Sequence, residues 1–201
     1  MTAETGYMLF EAVQPRRSDI EGPTDELLFR QLLGGDVVAG ELLARRFHEP
    51  LMRYLQRLVG NDQVAEEIYQ ATWLSVLENL SRFDPASNSG GFKAWLFRIA
   101  TNKANDTWRS NGREKIAKEQ LRLVADEEAP NAAHRIEGSE EQSKLIRAIE
   151  RLPHGQKQVL ILRYYSGMKF VDIAKTLGCP LNTALGRMHK AMQKLKELMG
   201  E

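Results

Sequence analysis

The sequence lacks the features that define several common classes of protein. Its 201 residues include one cysteine, Cys179, so an internal disulfide is excluded. The four histidines are scattered and show no Cys/His spacing of a zinc site. The apolar runs are too short to cross a bilayer, and the N-terminus lacks the basic-then-apolar pattern of a signal peptide. These absences predict a cytoplasmic protein with no membrane insertion.

Motifs of catalysis are absent as well. The sequence shows no Ser/His/Asp arrangement, no paired carboxylates, no phosphate-binding loop and no metal-ligand spacing. We therefore expect a protein that is not an enzyme, with no catalytic residues, no cofactor and no metal.

No stretch of β alternation occurs, and apolar residues recur at helical spacing instead. One such face holds Leu43, Phe47, Leu51, Tyr54, Leu55 and Leu58. Further helices are predicted from about Gln63 to Leu80, with Asp62 as its cap, and from Phe92 to about Arg109. We expect an all-α fold of two small helical domains joined by a flexible charged linker. The predicted segments are an irregular extension (1–23), a first domain (24–111), the linker (112–139) and a helix-turn-helix domain (140–201).

The net charge of +1 conceals a strong segregation of charge along the chain. Residues 24–91 carry six basic and ten acidic side chains, whereas residues 92–122 carry eight basic and three acidic. Residues 123–151 are again acidic, and residues 152–201 again hold eight basic and three acidic side chains. Two basic blocks separated by an acidic one favour two separate contacts with a polyanion. Solvated helix faces are the simpler alternative.

The second basic block contains a helix-turn-helix pattern. A short amphipathic stretch from Phe170 to Leu177 is followed by Gly178 and by Pro180, which can begin the next helix. The apolar arc of that next helix comprises Ala184, Leu185, Met188, Ala191, Met192, Leu195, Leu198 and Met199. Its opposite side holds Gly186, His189, Lys190, Gln193 and Lys194. The basic outer side favours DNA binding, although a plain helical hairpin has the same periodicity.

Three stretches resemble bacterial RNA polymerase sigma factors of the extracytoplasmic-function (ECF) group. "LPHGQKQVLILRYYSGMKFVDIAKTLGCPLNTALGRMHKAMQKL" resembles the promoter-binding C-terminal domain of that group. "AEEIYQATWLSVLENLSRFDP" is similar to its polymerase-binding helix, and "FKAWLFRIATNKANDTWRS" to its minus-ten helix. The resemblance implies an alternative sigma factor that binds core RNA polymerase and directs promoter-specific transcription initiation. Its implied partners are the beta-prime clamp helices, the beta flap, promoter DNA and an anti-sigma factor.

For polymerase binding, the resemblance implies the outward side of the helix from Gln63. Glu67, Gln70 and Leu74, here called the polymerase face, point away from its apolar side. Ala71 departs from the family, which usually has an acidic residue there. An ordinary solvated helix face is the alternative.

A polar stripe follows on the next helix. Arg98, Asn102, Asn105 and Arg109, here called the minus-ten stripe, are spaced so that they share one side. Arginines can hold phosphates and asparagine amides can pair with base edges. The resemblance implies that Asn102 and the loop 84–91 form a pocket for a flipped base. Phe97 and Trp108 lie off the predicted apolar side and are candidates for stacking on unpaired bases, whereas Trp95 is expected in the core.

For the minus-thirty-five element, the resemblance places the last helix in the major groove. The candidate contact residues are Asn182, Thr183, Leu185, Gly186, Arg187, His189, Lys190 and Lys194. The family usually has Arg or Lys, then Ser, at Leu185 and Gly186, so an altered specificity is expected. A conventional helix-turn-helix regulator and an adaptor that binds polymerase alone are the competing hypotheses. The linker would either thread toward the RNA exit channel or act as a simple tether.

Overall fold

A computed structural model describes residues 22–83, 91–121 and 140–200, and for residues 110–121 it describes the backbone alone. Within those ranges the chain forms α-helices, one 3-10 turn at Leu80–Arg82 and no strand, which confirms the predicted all-α fold. The helices are α1 Asp25–Leu33, α2 Val37–Val59, α3 Asp62–Glu78, α4 Gly91–Leu121, α5 Glu140–Glu150, α6 His154–Tyr165, α7 Phe170–Thr176 and α8 Leu181–Met199. The N-terminal extension up to residue 21, most of the 84–91 loop and linker residues 122–139 lie outside the described ranges.

Short polar side chains begin the helices of the first half. Thr24 Oγ1 accepts a hydrogen bond from the Leu27 backbone N–H at 3.2 Å at the start of α1. Asn61 Oδ1 accepts from the Val64 N–H at 3.0 Å at the start of α3. The prediction that Asp62 is this cap was wrong by one residue. Asp62 is instead the first helical residue, where its negative charge suits the helix dipole.

Helix α4 is longer than predicted, since its backbone continues past Arg109 to Leu121. Gly112 lies inside it, and one glycine within a helix costs only about 1 kcal/mol relative to alanine. The residues that follow, "REKIAKEQL", are mostly good helix formers and offset that cost. Residues 112–121, which were predicted to begin the linker, thus continue α4.

The core of the first half forms around α2 and α4. All six residues of the predicted α2 face are buried, which confirms that face. The Tyr54 hydroxyl lies 2.7 Å from Thr101 Oγ1, and Thr101 Oγ1 donates to the Phe97 carbonyl at 2.6 Å. Tyr54 is therefore the donor to Thr101, and burial raises the pKa of its hydroxyl well above the ordinary range. This buried chain of hydrogen bonds fixes α4 against α2.

Helices α7 and α8 form the predicted helix-turn-helix. Ile173 and Ala174 of α7 are buried together with Ala184, Ala191 and Leu195 of α8. The turn between them passes through Gly178 with φ +59°, a backbone conformation that glycine adopts without steric cost. The basic side of α8 consequently faces outward.

The two halves are packed against each other. Helix α2 packs against α6, and α4 packs against α7. The buried apolar residues of both halves form one continuous cluster. Because of this packing, the start of α6 lies beside the middle of α4, where the minus-ten stripe was predicted.

Candidate nucleic-acid interface

The outer face of α8 carries the predicted minus-thirty-five residues. Asn182, Gly186, His189, Lys190 and Lys194 are exposed, and Thr183 is half-buried. Lys194 Nζ lies 2.9 Å from Glu197 Oε2, an exposed pair that contributes little to stability. The face is thus open to solvent and largely basic, as a helix that enters a DNA groove requires.

Leu185 and Gly186 both point outward. Leu185, which the sequence places both in the apolar arc and among the candidate DNA contacts, is 42 % exposed. A Cβ built on Gly186 would meet no described atom within 4 Å. Glycine is therefore not required there by packing within the chain.

Arg187 is less accessible than predicted. A Cβ on Gly155, in the first turn of α6, would lie 3.4 Å from Arg187 Nε and Cζ. The guanidinium therefore lies over the start of α6, and the residue is half-buried.

On α4 the structure distributes the minus-ten stripe over different environments. Asn102 and Arg109 are exposed, whereas Arg98 and Asn105 are half-buried. Arg109 Nη1 lies 3.3 Å from Asp106 Oδ1 on the same helix. Asn102 is consequently the stripe residue whose amide is most open to a nucleic acid.

The placement of Phe97 off the apolar side was wrong. Phe97 is fully buried, and its ring lies edge-on to Tyr54 with centroids 5.2 Å apart. Helix α4 is covered on two sides, by the aromatic rings around Phe92 and by Tyr54 of α2, so its buried arc is wider than one periodic stripe. Phe97 does not present its ring to bases in this structure.

Trp108 does lie on the surface, with 60 % of its area exposed. One face of its indole stacks on the His154 imidazole of α6, with centroids 4.8 Å apart and planes 12° apart. Burial lowers the pKa of the His154 ring, and the positive charge of Lys157 lowers it further by a smaller amount. The imidazole is therefore favoured in its neutral form.

Asn105 is engaged by the same helix. Gln158 Nε2 donates to Asn105 Oδ1 at 2.6 Å, and His154 Nε2 lies 3.1 Å from the same oxygen. An amide oxygen only accepts, so the neutral His154 carries its proton on Nε2 and donates it. Sequence periodicity gave no indication of this contact between the two halves.

The polymerase face of α3 is outward, with Glu67, Gln70 and Leu74 exposed. Leu77, which was not included in the predicted polymerase face, lies one turn beyond Leu74. Leu74 is 58 % exposed and Leu77 is 54 % exposed. Extending the same helical spacing by one more step would have found it. Leu74 and Leu77 together give the polymerase face an apolar part beside its acidic and amide groups.

Metal sites and membrane spans are both absent from the residues that the structure describes. No group of three or more His, Cys, Asp or Glu side chains there is arranged to hold a metal ion. No helix in those ranges is long and apolar enough to cross a membrane.

A polar helix surface and a helix-turn-helix in one chain are typical of proteins that contact DNA at two points. Comparison with known families agrees: residues 43–114 match Sigma-70 region 2, and residues 142–195 match Sigma-70 region 4. RNA polymerase sigma factor CarQ of Myxococcus xanthus is 30% identical over 169 residues, covering 80% of this chain and 88% of the relative. ECF RNA polymerase sigma factor EcfG of Rhodopseudomonas palustris is 31% identical over 142 residues, covering 71% of this chain and 75% of the relative.

A solved structure shows the same fold. The sigma factor RpoE from Bartonella quintana, in complex with the anti-sigma factor NepR, superposes with a TM-score of 0.64 at 24% identity, covering 80% of this chain and 96% of that one. The chain belongs to the RNA polymerase sigma factors of the ECF group. It is an alternative sigma factor that binds core RNA polymerase and promoter DNA and directs promoter-specific transcription initiation. The region 2 match distinguishes it from a conventional helix-turn-helix regulator.

Proposed function

We propose that this sigma factor recognises promoters through two separate helical surfaces. The outer face of α8 contacts the minus-thirty-five element as duplex, and the minus-ten stripe contacts the minus-ten element as an opened strand. The polymerase face of α3 holds core polymerase. The observation that carries the proposal is the solvent-facing basic side of α8 on the second helix of a helix-turn-helix.

Two kinds of contact are expected on α8. Lys190 and Lys194 extend from the outermost side and would contact phosphates, which position the helix without selecting sequence. Leu185 and Gly186 lie where family members usually carry polar side chains. An exposed leucine can contact a thymine methyl group, and a glycine permits close approach of the backbone. We therefore expect the base preference at these positions to differ from that of typical relatives.

Polymerase binding is assigned to α3 by its exposed acidic, amide and apolar groups. Gln70 Nε2 donates to Glu66 Oε1 at 3.0 Å, which holds one end of the surface in place. Leu74 and Leu77 would supply the apolar contact, while Glu67 would orient a basic partner helix. Ala71, half-buried beside them, removes the acidic contact that the family usually has.

We place the protein in the cytoplasm, where it performs no reaction of its own and needs no cofactor. An anti-sigma partner is proposed by analogy with RpoE, which binds NepR.

A selection from promoters randomised in the minus-thirty-five element tests the α8 assignment. Reconstituted holoenzyme carrying Leu185→Arg should prefer a different base, because arginine can pair with a guanine edge for about 1–3 kcal/mol. Lys190→Ala should weaken binding to all promoter sequences alike. It should also reduce the steepness of log affinity plotted against log salt concentration by about 0.9. An unchanged preference in a folded Leu185→Arg protein would mean that this side of α8 does not face DNA.

A further inference from the structure

The junction of α1 and α2 carries an apolar surface that no described part of the chain covers. Four of the eleven large apolar side chains that are exposed in the described ranges lie there within ten residues: Leu33, Val37, Val38 and Leu42. We call these four residues the α1–α2 patch. Val37 is 71 % exposed and Val38 is 64 % exposed. Single exposed apolar side chains are normal, whereas a cluster of them is typical of a surface that another segment covers.

The patch gives α2 a second apolar side. The buried positions in the first half of that helix are Ala39, Leu43 and Phe47. Val38 and Leu42 lie one turn apart on another side of the helix, away from that buried row. Valine is also a poorer helix former than the polar residues that suit an exposed first turn, so the helix itself does not require it.

A tight turn fixes the two ends of the patch beside each other. Only Gly34, Gly35 and Asp36 separate α1 from α2. The Gly35 N–H donates to the Leu32 carbonyl at 2.9 Å. Leu32 also packs on Gly40, where an added Cβ would lie 2.9 Å from Leu32 Cδ1. The last turn of α1 and the first turn of α2 are thus held together, and the patch is a preformed surface.

The chain itself contains an apolar segment close to this surface. Residues 7–13, YMLFEAV, are apolar at six of seven positions and lie outside the described ranges. The next stretch, QPRRSDIE, is mostly polar and leads to Gly22, Pro23 and the start of α1. Residues 14–23 can extend over about 33 Å, whereas α1 is about 14 Å long. The apolar segment can therefore reach the patch, which lies at the far end of α1.

The charges favour the same arrangement. Asp36 and Glu41 are exposed beside the valines, and Glu41 lies one turn from Val37. Arg16 and Arg17 follow the apolar segment closely. A segment lying over the valines brings these arginines near the two carboxylates, which orients it although exposed ion pairs add little affinity. A tethered segment also has an effective concentration in the millimolar range, so weak docking is sufficient.

We propose that residues 7–13 dock on the α1–α2 patch and so complete the first domain. The docked segment removes the exposed valines and leucines from water and keeps them from contacting a second chain. Docking of this segment is independent of the roles proposed for α3, α4 and α8.

Fluorine NMR of the full chain labelled with 3-fluorotyrosine detects the docked segment. The signal that Tyr7→Phe removes is that of Tyr7, within the segment. Val38→Gln should move this signal to its position in a labelled peptide of residues 1–21. Val171→Gln is the matched control, an exposed valine at the second position of α7 instead of α2, and should leave the signal in place. A wild-type Tyr7 signal that coincides with that of the free peptide, or that Val38→Gln leaves unmoved, would overturn the proposal.

A change in the segment itself gives a second, independent measurement. Phe10→Ser should lower the melting temperature of the full chain by about 2–4 °C, because one buried aromatic contact is lost. Adding Val38→Gln to Phe10→Ser should lower it little further, since the two residues share one contact. Phe10 lies outside the described helices, so this variant carries the test if Val38→Gln fails to fold. An unchanged melting temperature in Phe10→Ser, or fully additive losses in the double variant, would contradict docking.

Sedimentation velocity and core binding distinguish the other occupants of the patch. The wild-type chain should be a monomer, with a Tyr7 signal that does not depend on concentration. A dimer that Val38→Gln converts to monomer, with no movement of the Tyr7 signal, would assign the patch to a second copy and overturn the proposal. Weaker binding of Val38→Gln to core polymerase, again with an unmoved Tyr7 signal, would assign the patch to polymerase and overturn it as well.

Discussion

Gln158 Nε2 lies 2.6 Å from Asn105 Oδ1, in a hydrogen bond that joins the region 4 half of the chain to the region 2 half. The residue on the region 2 side belongs to the minus-ten stripe. A side chain proposed to contact DNA is thus held by α6, the second helix of the other promoter-binding domain.

Glu67→Lys should weaken binding to core polymerase by about tenfold. Reversing an exposed charge on the polymerase face opposes a basic partner helix and leaves the buried side of α3 unchanged. Fluorescence anisotropy with labelled sigma factor measures the affinity. Glu41→Lys, the same change on an exposed position of α2, should keep wild-type affinity. Equal affinities for the two variants would show that core polymerase docks on another surface.

Asn102→Ala should reduce promoter opening while core binding stays intact. Its exposed amide is proposed to contact a minus-ten base, an interaction worth about 1–3 kcal/mol when two hydrogen bonds form. Permanganate footprinting of holoenzyme on a mapped promoter follows the opening. Gln31→Ala, the loss of an exposed amide on α1, serves as the control. If Asn102→Ala opens the promoter as wild type does, Asn102 does not contact the minus-ten element.

Gly186→Ala should stabilise the free protein by about 1 kcal/mol, because alanine favours the helix and its methyl group meets open space. The same variant should bind the minus-thirty-five element more weakly, since the added Cβ blocks close approach of the backbone to DNA. Gly178→Ala should instead lower the melting temperature, because φ there is +59°. Unchanged DNA binding by a stabilised Gly186→Ala would show that DNA does not approach this position closely.

The contact that joins His154 and Gln158 of α6 to Asn105 and Trp108 of α4 should weaken in acid. Burial and the charge of Lys157 lower the pKa of His154, so proton uptake disfavours the contact. Its full contribution is present above the ordinary histidine pKa of about 6.5 and is lost as the pH falls through the lowered value. Among the described side chains of α4, Asp106 and Arg109 pair with each other.

In the full chain labelled with 5-fluorotryptophan, the fluorine signal that Trp108→Phe removes is that of Trp108, and its pH titration reports this loss. Its midpoint should fall below about 6.5, and His154→Gln should abolish the transition. A midpoint at or above the ordinary value would contradict the expected direction of the pKa shift.

The sequence predicted what helical periodicity determines. The α2 face is buried as expected, and the outer face of α8 is exposed, because each helix packs on one side. Phe97 was misplaced because α4 is covered from two directions, which periodicity on one helix does not reveal. The pairing of Asn105 with Gln158 depends on how the two halves pack, and no local pattern encodes that packing. Minus-ten and polymerase roles of single residues stay predictions.

Run-off transcription with purified core polymerase and genomic DNA, followed by mapping of RNA 5′ ends, tests the central claim most directly. With this protein added, transcripts should begin at a limited set of sites that share minus-thirty-five and minus-ten sequences at a constant spacing. Core polymerase alone provides the baseline. Start sites that remain random and unchanged after addition of the protein would contradict its assignment as a promoter-specific sigma factor.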